Sequence, residues 1–165
     1  MLLRDFKPTD FDEMHNIDQQ CFPLGIAYTR MEMHFYTRRK GVFAIVAEWD
    51  ETTPADKRKG KLAGFTIVEM LKGFGHVITI DIRAEARRTG LGTELMQAAE
   101  ARIKEKGGRL MVLEVAVNNG PAIAFYKKHG YTVDKTLPGY YNGELDALFM
   151  VKRLIPLKSA SPAGA

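Results

Sequence analysis

The chain has 165 residues, of which 45% are hydrophobic and 27% charged, and its formal net charge is +4. This length and apolar content fit one globular domain with its own core, so no second domain is expected. The single cysteine, Cys21, excludes an internal disulfide, and no apolar run is long enough for a signal core or a membrane span, so we expect a cytoplasmic protein without a membrane partner.

Hydrophobic periodicity and turn residues divide the chain into alternating strands and helices. In chain order, the predicted elements are a strand at 2–7, a helix between Thr9 and Pro23, a helix at 29–38, strands at 42–48, 62–71 and 75–82, a helix at 90–106, a strand at 110–117, a short helix between Asn119 and Gly130, and two strands of which the last covers 146–154. Thr9 is the expected N-cap of the first helix.

The order of these elements, β-α-α-β-β-β-α-β-α-β-β, indicates an α/β protein with a mixed sheet flanked by helices. We expect a single domain over residues 1–155, interrupted by a polar, mobile hairpin loop at 50–61. The last ten residues, 156–165, lack periodicity and predict a flexible tail.

An arginine- and glycine-containing turn joins the predicted strand at 75–82 to the helix that follows it. The turn reads Arg87, Arg88, Thr89, Gly90, Leu91 and Gly92. Closely spaced glycines let the backbone approach an anion without a Cβ clash, and the first amides of the helix direct unpaired N–H groups at that anion. Alone, such a pattern is more typical of an ordinary helix start, but in this position it favours a ligand that carries phosphate.

A second group of polar residues follows in the next strand and helix. Glu114 interrupts an apolar strand, where a carboxylate is costly unless it is paired or hydrogen-bonded. Beyond an Asn-Asn-Gly turn, Tyr126 lies on the short helix, and its phenol is protonated at neutral pH and can donate a proton. A satisfied glutamate and a core aromatic are the structural alternatives for these two positions.

Together, the arginine-glycine turn, the strand and turn from Glu114 to Asn119, and Gly139-Tyr140-Tyr141 resemble the GNAT superfamily of acetyl-CoA-dependent N-acetyltransferases. The likeness covers nearly all of residues 1–154 and is greatest to the RimI-type ribosomal-protein alanine acetyltransferases and the archaeal protein N-terminal acetyltransferases. It implies acetyl-CoA as cosubstrate, direct attack by the acceptor amine, and a protein or peptide N-terminus as acceptor, with ribosomal proteins among the candidates.

The resemblance also assigns roles to single residues. Glu114 matches a general base that acts through water, Tyr126 matches a general acid, and His76 matches a base of the archaeal enzymes, so two base candidates coexist. The oxyanion is expected to meet a backbone N–H of residues 80–82. The residues expected to bind the cofactor are Ile80, Asp81, Ile82, Arg87, Arg88, Thr89, Gly90, Leu91, Gly92, Thr93, Asn119 and Tyr126.

The acceptor side departs from the family pattern. Asp81 stands where the family usually has a small residue, and we expect it to face the acceptor channel and attract a cationic amine, or to pair with Arg83 or Arg87. Tyr140 and Tyr141, with the loop at 22–27, are expected to wall a peptide cleft.

Two other functions compete with N-terminal acetylation. One is a GNAT enzyme that acts on a lysine or a small-molecule amine, and the other is a non-catalytic CoA-binding module. The histidines show no metal-ligand spacing, so no metal is expected. The weak positive charge does not predict nucleic-acid binding, and we expect a monomer or a weak dimer.

Overall fold

The computed structural model describes residues 1–58 and 60–154. Within these residues the chain forms seven strands and four α-helices. They are β1 (Leu2–Asp5), α1 (Phe11–Cys21), α2 (Arg30–Arg38), β2 (Val42–Glu48), β3 (Leu62–Leu71), β4 (Phe74–Ile82), α3 (Leu91–Glu105), β5 (Leu110–Ala116), α4 (Gly120–Lys128), β6 (Thr132–Tyr141) and β7 (Leu145–Arg153). The predicted order of elements and the mixed α/β fold are confirmed. The predicted tail lies outside the described residues.

The strands form one sheet in the order β1-β2-β3-β4-β5-β7-β6. All neighbours are antiparallel except β4 and β5, which are parallel and pair only from Phe74 with Leu110 to His76 with Val112. Beyond His76 the two strands separate, while β4 stays paired with β3 and β5 stays paired with β7. The sheet therefore opens between β4 and β5 towards their carboxyl ends.

Helices cover both faces of the sheet, because the alternate side chains of its central strands point in opposite directions. Phe11, Met14 and Ile17 of α1 pack with Val46 of β2 in one buried cluster, to which Met33 of α2 also belongs. The other cluster contains the apolar residues of α3 and α4 together with side chains from the opposite sheet face. These two cores fix the helices that border the opening between β4 and β5.

The predicted cap of α1 is wrong. Thr9 lies inside a single 3-10 turn, Pro8–Asp10, and the residue that precedes Phe11 is Asp10. The Asp10 carboxylate accepts hydrogen bonds from the Lys7 N–H and from Arg4, and this ion pair holds the pKa of Asp10 below its usual range. A buried ion pair between β1 and the turn therefore shapes the start of α1.

Candidate active site

The separation of β4 and β5 leaves a cavity of about 430 Å³. It is bordered by both strands, the C-terminal end of α1 with the loop after it, and the start of α4. Of the residues singled out from the sequence, those that line this cavity are Ile80, Ile82, Arg87, Gly92, Glu114, Asn119, Tyr126 and Tyr141. One cavity thus brings together residues that are far apart in the chain.

Glu114 and His76 form a hydrogen-bonded pair at the point where the strands part. The His76 Nε2 atom lies 2.6 Å from Glu114 Oε2, and their side chains are 23% and 16% exposed. Glu114 lines the cavity, and His76 contacts Glu114 from the last position at which β4 pairs with β5. The two predicted base candidates therefore form one unit. A proton accepted by either residue can be shared with the other.

Tyr126 is buried on α4, and its ring packs edge-on against Phe125 and Tyr131. Its hydroxyl has no hydrogen-bond partner among the described residues, and the side chain lines the cavity. Burial, with smaller contributions from Asp81 and Tyr141, raises the pKa of Tyr126 well above its ordinary value. The phenol is therefore protonated at physiological pH, and its hydroxyl is free to donate to a bound group.

The backbone of β4 presents a donor to the opening. The Thr79 carbonyl accepts a hydrogen bond from the Thr66 hydroxyl of β3. In a trans peptide the N–H points away from the carbonyl, so the Ile80 N–H is directed from β3 towards the cavity. On the same side of β4, the Ile82 carbonyl accepts from the Arg87 side chain. The Ile80 N–H therefore faces the cavity, and its role as the oxyanion donor stays a prediction.

The arginine-glycine turn contains two left-handed residues and leads directly into α3. Arg88 and Gly90 both have positive φ, +62° and +87°, and Gly90 immediately precedes α3. The first N–H groups of α3 lack partners within the helix and can bind an anion, so the turn and this helix start form a candidate anion site. A Cβ built on Gly90 would meet nothing within 4 Å, so the glycine leaves this surface open.

Side-chain hydrogen bonds hold the start of α4 and join α4 to α3. Asn119 caps α4 by accepting a hydrogen bond from the Ala122 N–H. His129, at the end of α4, donates from Nδ1 to the Phe125 carbonyl, which leaves the neutral ring's Nε2 to accept from Thr93 on α3. Thr93 therefore ties α3 to α4 and does not line the cavity.

The acceptor side of the cavity is formed by two loops that touch. Asn142, in the turn between β6 and β7, donates a hydrogen bond to the Gly25 carbonyl in the loop between α1 and α2. Tyr141 lines the cavity, whereas Tyr140 is 48% exposed and packs edge-on against Tyr141. Burial raises the pKa of both phenols to about 12, so both are neutral hydrogen-bonding groups.

The expectations for the Asp81 side chain are wrong. Asp81 is 1% exposed, does not line the cavity, and accepts a hydrogen bond from the Thr79 hydroxyl. Arg83 instead pairs with Glu13, and Arg87 contacts the Ile82 carbonyl. Strand alternation does place Asp81 on the face opposite Ile80, but that face is covered by α1, so Asp81 cannot attract an acceptor amine directly.

Sequence reasoning missed Tyr28. It lines the cavity from the end of the loop between α1 and α2, and its hydroxyl donates to the Ile78 carbonyl of β4. Its position between the predicted acceptor loop and the predicted helix at 29–38 was the available signal. Cys21 also lines the cavity, but burial raises the pKa of its thiol, which makes it a poor nucleophile.

In the part of the chain that the structure describes, no three histidine, cysteine, aspartate or glutamate side chains are grouped as a metal site requires. The predicted absence of a metal stays a prediction. None of the helices in these described ranges combines the length and the apolar character needed to cross a membrane.

Comparison with known proteins identifies the family. Residues 11–131 match the Acetyltransferase (GNAT) family, so the chain belongs to this family and is an acyltransferase. An N-alpha-acetyltransferase of Sulfurisphaera tokodaii is 31% identical over 165 residues, which cover 92% of this chain and 92% of that protein. The predicted resemblance to the GNAT superfamily is confirmed.

Solved structures show the same fold. The ribosomal-protein-S18-alanine N-acetyltransferase from Escherichia coli matches with a TM-score of 0.77 at 20% identity, over 97% of each chain. Arabidopsis thaliana NAA60 in complex with acetyl-CoA matches with a TM-score of 0.79 at 21% identity, over 92% of this chain and 97% of that one.

Proposed function

We propose that this protein transfers the acetyl group of acetyl-CoA to the N-terminal α-amine of a protein. The observation that carries the proposal is the His76–Glu114 pair, a proton acceptor whose Glu114 lines the same cavity as Tyr126 with its free hydroxyl. A proton acceptor and a proton donor on one cavity are what transfer from a thioester to an amine requires. The name of the Sulfurisphaera relative, an N-alpha-acetyltransferase, supports the choice of acceptor.

The residues present fit acetyl-CoA. The positive-φ residues Arg88 and Gly90, together with the amides at the start of α3, suit a pyrophosphate, and the exposed Arg87 and Arg88 supply positive charge. Gly92 lines the cavity, where its missing Cβ leaves room beside Ile82 and Phe125. Acetyl-CoA supplies an activated acyl group and a thiolate leaving group.

The His76–Glu114 pair takes the proton that the amine must lose. An ammonium ion cannot attack a carbonyl, so the acceptor first loses one proton to solvent and binds as a neutral amine. After the nitrogen has bonded to the carbonyl carbon it carries a surplus proton, which the pair accepts and later releases to solvent. Glu114 reaches the cavity directly or through water, and His76 shares the accepted proton across their 2.6 Å contact. The Ile80 N–H stabilises the oxygen on which negative charge develops.

Tyr126 acts on the opposite side of the reaction. Its hydroxyl donates a hydrogen bond to the departing sulfur and then its proton, so that a thiol leaves in place of a thiolate. Because burial raises the pKa of Tyr126, the phenol is never ionised beforehand, and the tyrosinate formed by the transfer takes a proton back from solvent. Cys21 takes no part, because transfer to the amine is direct.

The cost of deprotonation favours an α-amine over a lysine. An α-amine with a pKa of about 7.7 to 8.0 becomes neutral at pH 7 for about 1 kcal/mol, whereas a lysine with a pKa of about 10.4 costs about 4.6 kcal/mol. The acceptor walls carry neutral phenols and apolar side chains, including Phe22, Ile26 and Tyr141. We therefore expect an acceptor whose first residue is uncharged.

The proposal is tested by steady-state kinetics on two peptides of the same sequence, both with an internal lysine, one with a free N-terminus and one with a blocked N-terminus. We expect kcat/KM for the free peptide to exceed that for the blocked peptide by about a hundredfold or more, given the difference in deprotonation cost. Equal values for the two peptides would contradict the proposal, and activity on polyamines alone would assign a small-molecule acceptor.

A further inference from the structure

Two carboxyl groups are buried together beneath β4, outside the cavity. Asp18 of α1 is 0% exposed and Asp81 of β4 is 1% exposed. One oxygen of each is satisfied, since Asp18 Oδ2 accepts from the Tyr28 N–H at 2.7 Å and Asp81 Oδ1 accepts from the Thr79 hydroxyl at 2.6 Å. The other two oxygens, Asp18 Oδ1 and Asp81 Oδ2, have no donor among the described residues.

A single shared proton accounts for both of these oxygens. The carboxyl groups of Asp18 and Asp81 lie within hydrogen-bonding reach, and two adjacent buried carboxylates would repel each other in a medium of low dielectric constant. If Asp81 Oδ2 carries the proton, it donates to Asp18 Oδ1 and no buried oxygen is left without a partner. Burial raises the pKa of both groups, which agrees with a retained proton.

The pair is linked to the acceptor side of the cavity through Tyr28. The Tyr28 N–H is held by Asp18, its carbonyl accepts from Gln19 and His15, and its hydroxyl donates to the Ile78 carbonyl of β4. Tyr28 thus ends the acceptor loop, residues 22–28, and fastens it to the strand that presents the Ile80 N–H. Asp81, on that same strand, fastens the loop from the other side through Asp18.

We infer that Asp18 and Asp81 are positioning residues that share one buried proton and hold the acceptor loop against β4. The inference rests on the proposed function only in taking residues 22–28 as the wall against which the acceptor binds. Loss of the proton leaves two repelling anions and releases the loop. Binding of the acceptor weakens, while the His76–Glu114 pair and the anion site are unaffected.

The titratable groups that face the pair come from three elements besides β4 itself. His15 acts on Asp18 from the same helix, Tyr28 lies at the end of the loop, and Cys21 and Tyr126 lie close enough to Asp81 to interact with it. The phenols and the thiol all have raised pKa values, so they are neutral at physiological pH.

The shared proton is tested first by infrared spectroscopy on protein in which aspartate alone carries ¹³C. We expect a carbonyl band of a protonated, buried aspartic acid at neutral pH, present in the wild type and absent in Asp81→Asn. The exposed variant Asp134→Asn is the matched control and keeps the band. No such band in the wild type would overturn the inference. This measurement needs no acceptor, so it does not depend on the proposed function.

The positioning role is tested by the pH dependence of KM for the acceptor. Asn at position 81 can donate to Asp18 and accept from Thr79, so Asp81→Asn keeps the contact without a proton to lose. We expect the wild-type KM for the acceptor to rise about tenfold at the alkaline pH at which the infrared band disappears, and Asp81→Asn to show no such rise. KM for acetyl-CoA is expected to stay constant in both proteins.

The comparison of wild type with Asp81→Asn removes the effect of the acceptor amine, because the amine titrates in the same way with both proteins. Asp18→Ala leaves the Tyr28 N–H unpaired and is expected to raise the acceptor KM at every pH, but it also removes a buried acceptor, so the isosteric Asp81→Asn variant decides the test. Identical pH profiles for wild type and Asp81→Asn would contradict the positioning role. If the α-amine proposal fails, the same measurement is made with the amine that is found to react.

Discussion

The His76 Nε2 atom lies 2.6 Å from the Glu114 Oε2 atom, across the point at which β4 and β5 separate. His76 pairs in register with Val112, and Glu114 follows two residues later on β5, where its side chain faces the opening. The contact joins two residues that lie 38 positions apart in the chain. If both side chains form one base, then replacing either residue should lower the activity nearly as much as replacing both.

Glu114→Gln and His76→Ala are each expected to lower kcat/KM by about 10² to 10⁴, since each removes part of the proton acceptor. Both variants should shift the pH–rate profile to higher pH, because hydroxide must then accept the surplus proton. The kcat/KM of the double variant should be only slightly lower than that of the less active single variant, as for residues that act as a unit. Full pH–rate profiles check this, with the exposed Glu105→Gln as control. Multiplicative losses would show that the two residues act independently.

Tyr126→Phe is expected to lower kcat by about 10² to 10⁴ and to leave the affinity for acetyl-CoA unchanged, because the proton is needed only as the thiol departs. Single-turnover kinetics and calorimetry separate the two effects. Tyr131→Phe is the matched control, since it removes a buried hydroxyl that bonds to Glu100 and costs stability but no turnover. Wild-type turnover in Tyr126→Phe would reduce Tyr126 to a packing residue.

Gly90→Ala is expected to weaken CoA binding about tenfold, because a residue with a Cβ at φ +87° costs about 1 to 2 kcal/mol and distorts the amides of the anion site. Gly73, in the turn between β3 and β4, has φ +84° and equally open surroundings. Gly73→Ala therefore costs similar stability without loss of CoA affinity. Titration calorimetry with CoA compares them, and equal affinities for both variants and the wild type would contradict the assignment of the turn.

Asp81→Asn should change how stability depends on pH. The folded protein keeps a proton that the unfolded chain releases at about pH 3.9. The contribution of this proton to the free energy of unfolding therefore falls by about 1.4 kcal/mol per pH unit from about pH 3.9 up to the raised folded pKa, and is level above it. Asp81→Asn lacks this proton, so its free energy of unfolding does not fall for this reason. Urea unfolding over a pH series should show the advantage of Asp81→Asn growing through that window and then staying constant, while Asp134→Asn runs parallel to the wild type.

Local patterns in the sequence predicted the elements well, because helix and strand periodicity is set by neighbouring residues. The strands at 42–48 and 62–71 were predicted with the bounds that the structure has, and Thr29 caps α2 through a reciprocal bond with Glu32. Strand alternation also placed Asp81 and Ile80 on opposite faces of β4. Local patterns could not predict which helix packs on each face of the sheet. Because α1 covers the face on which Asp81 lies, Asp81 is buried.

The His76–Glu114 contact could not be predicted in the same way. The parallel strands β4 and β5 are joined through α3, and their register depends on how that helix packs on the sheet. No local sequence pattern therefore predicts which residues of the two strands are in contact. Tyr28 was missed for a related reason. Its role follows from a hydroxyl contact with the Ile78 carbonyl, 50 residues further on. Long-range pairing, more than composition or periodicity, assembles this site.

The most direct test of α-amine acetylation is the position of the acetyl group on a peptide that offers both amines at once. The enzyme is given acetyl-CoA and a peptide with a free N-terminus and one internal lysine, and the product is fragmented in a mass spectrometer. We predict that the added acetyl mass appears on the first residue, with none on the lysine at early times, and that Glu114→Gln gives the same position at a lower rate. Acetyl mass on the lysine side chain, or equal labelling of both amines, would contradict the proposed function.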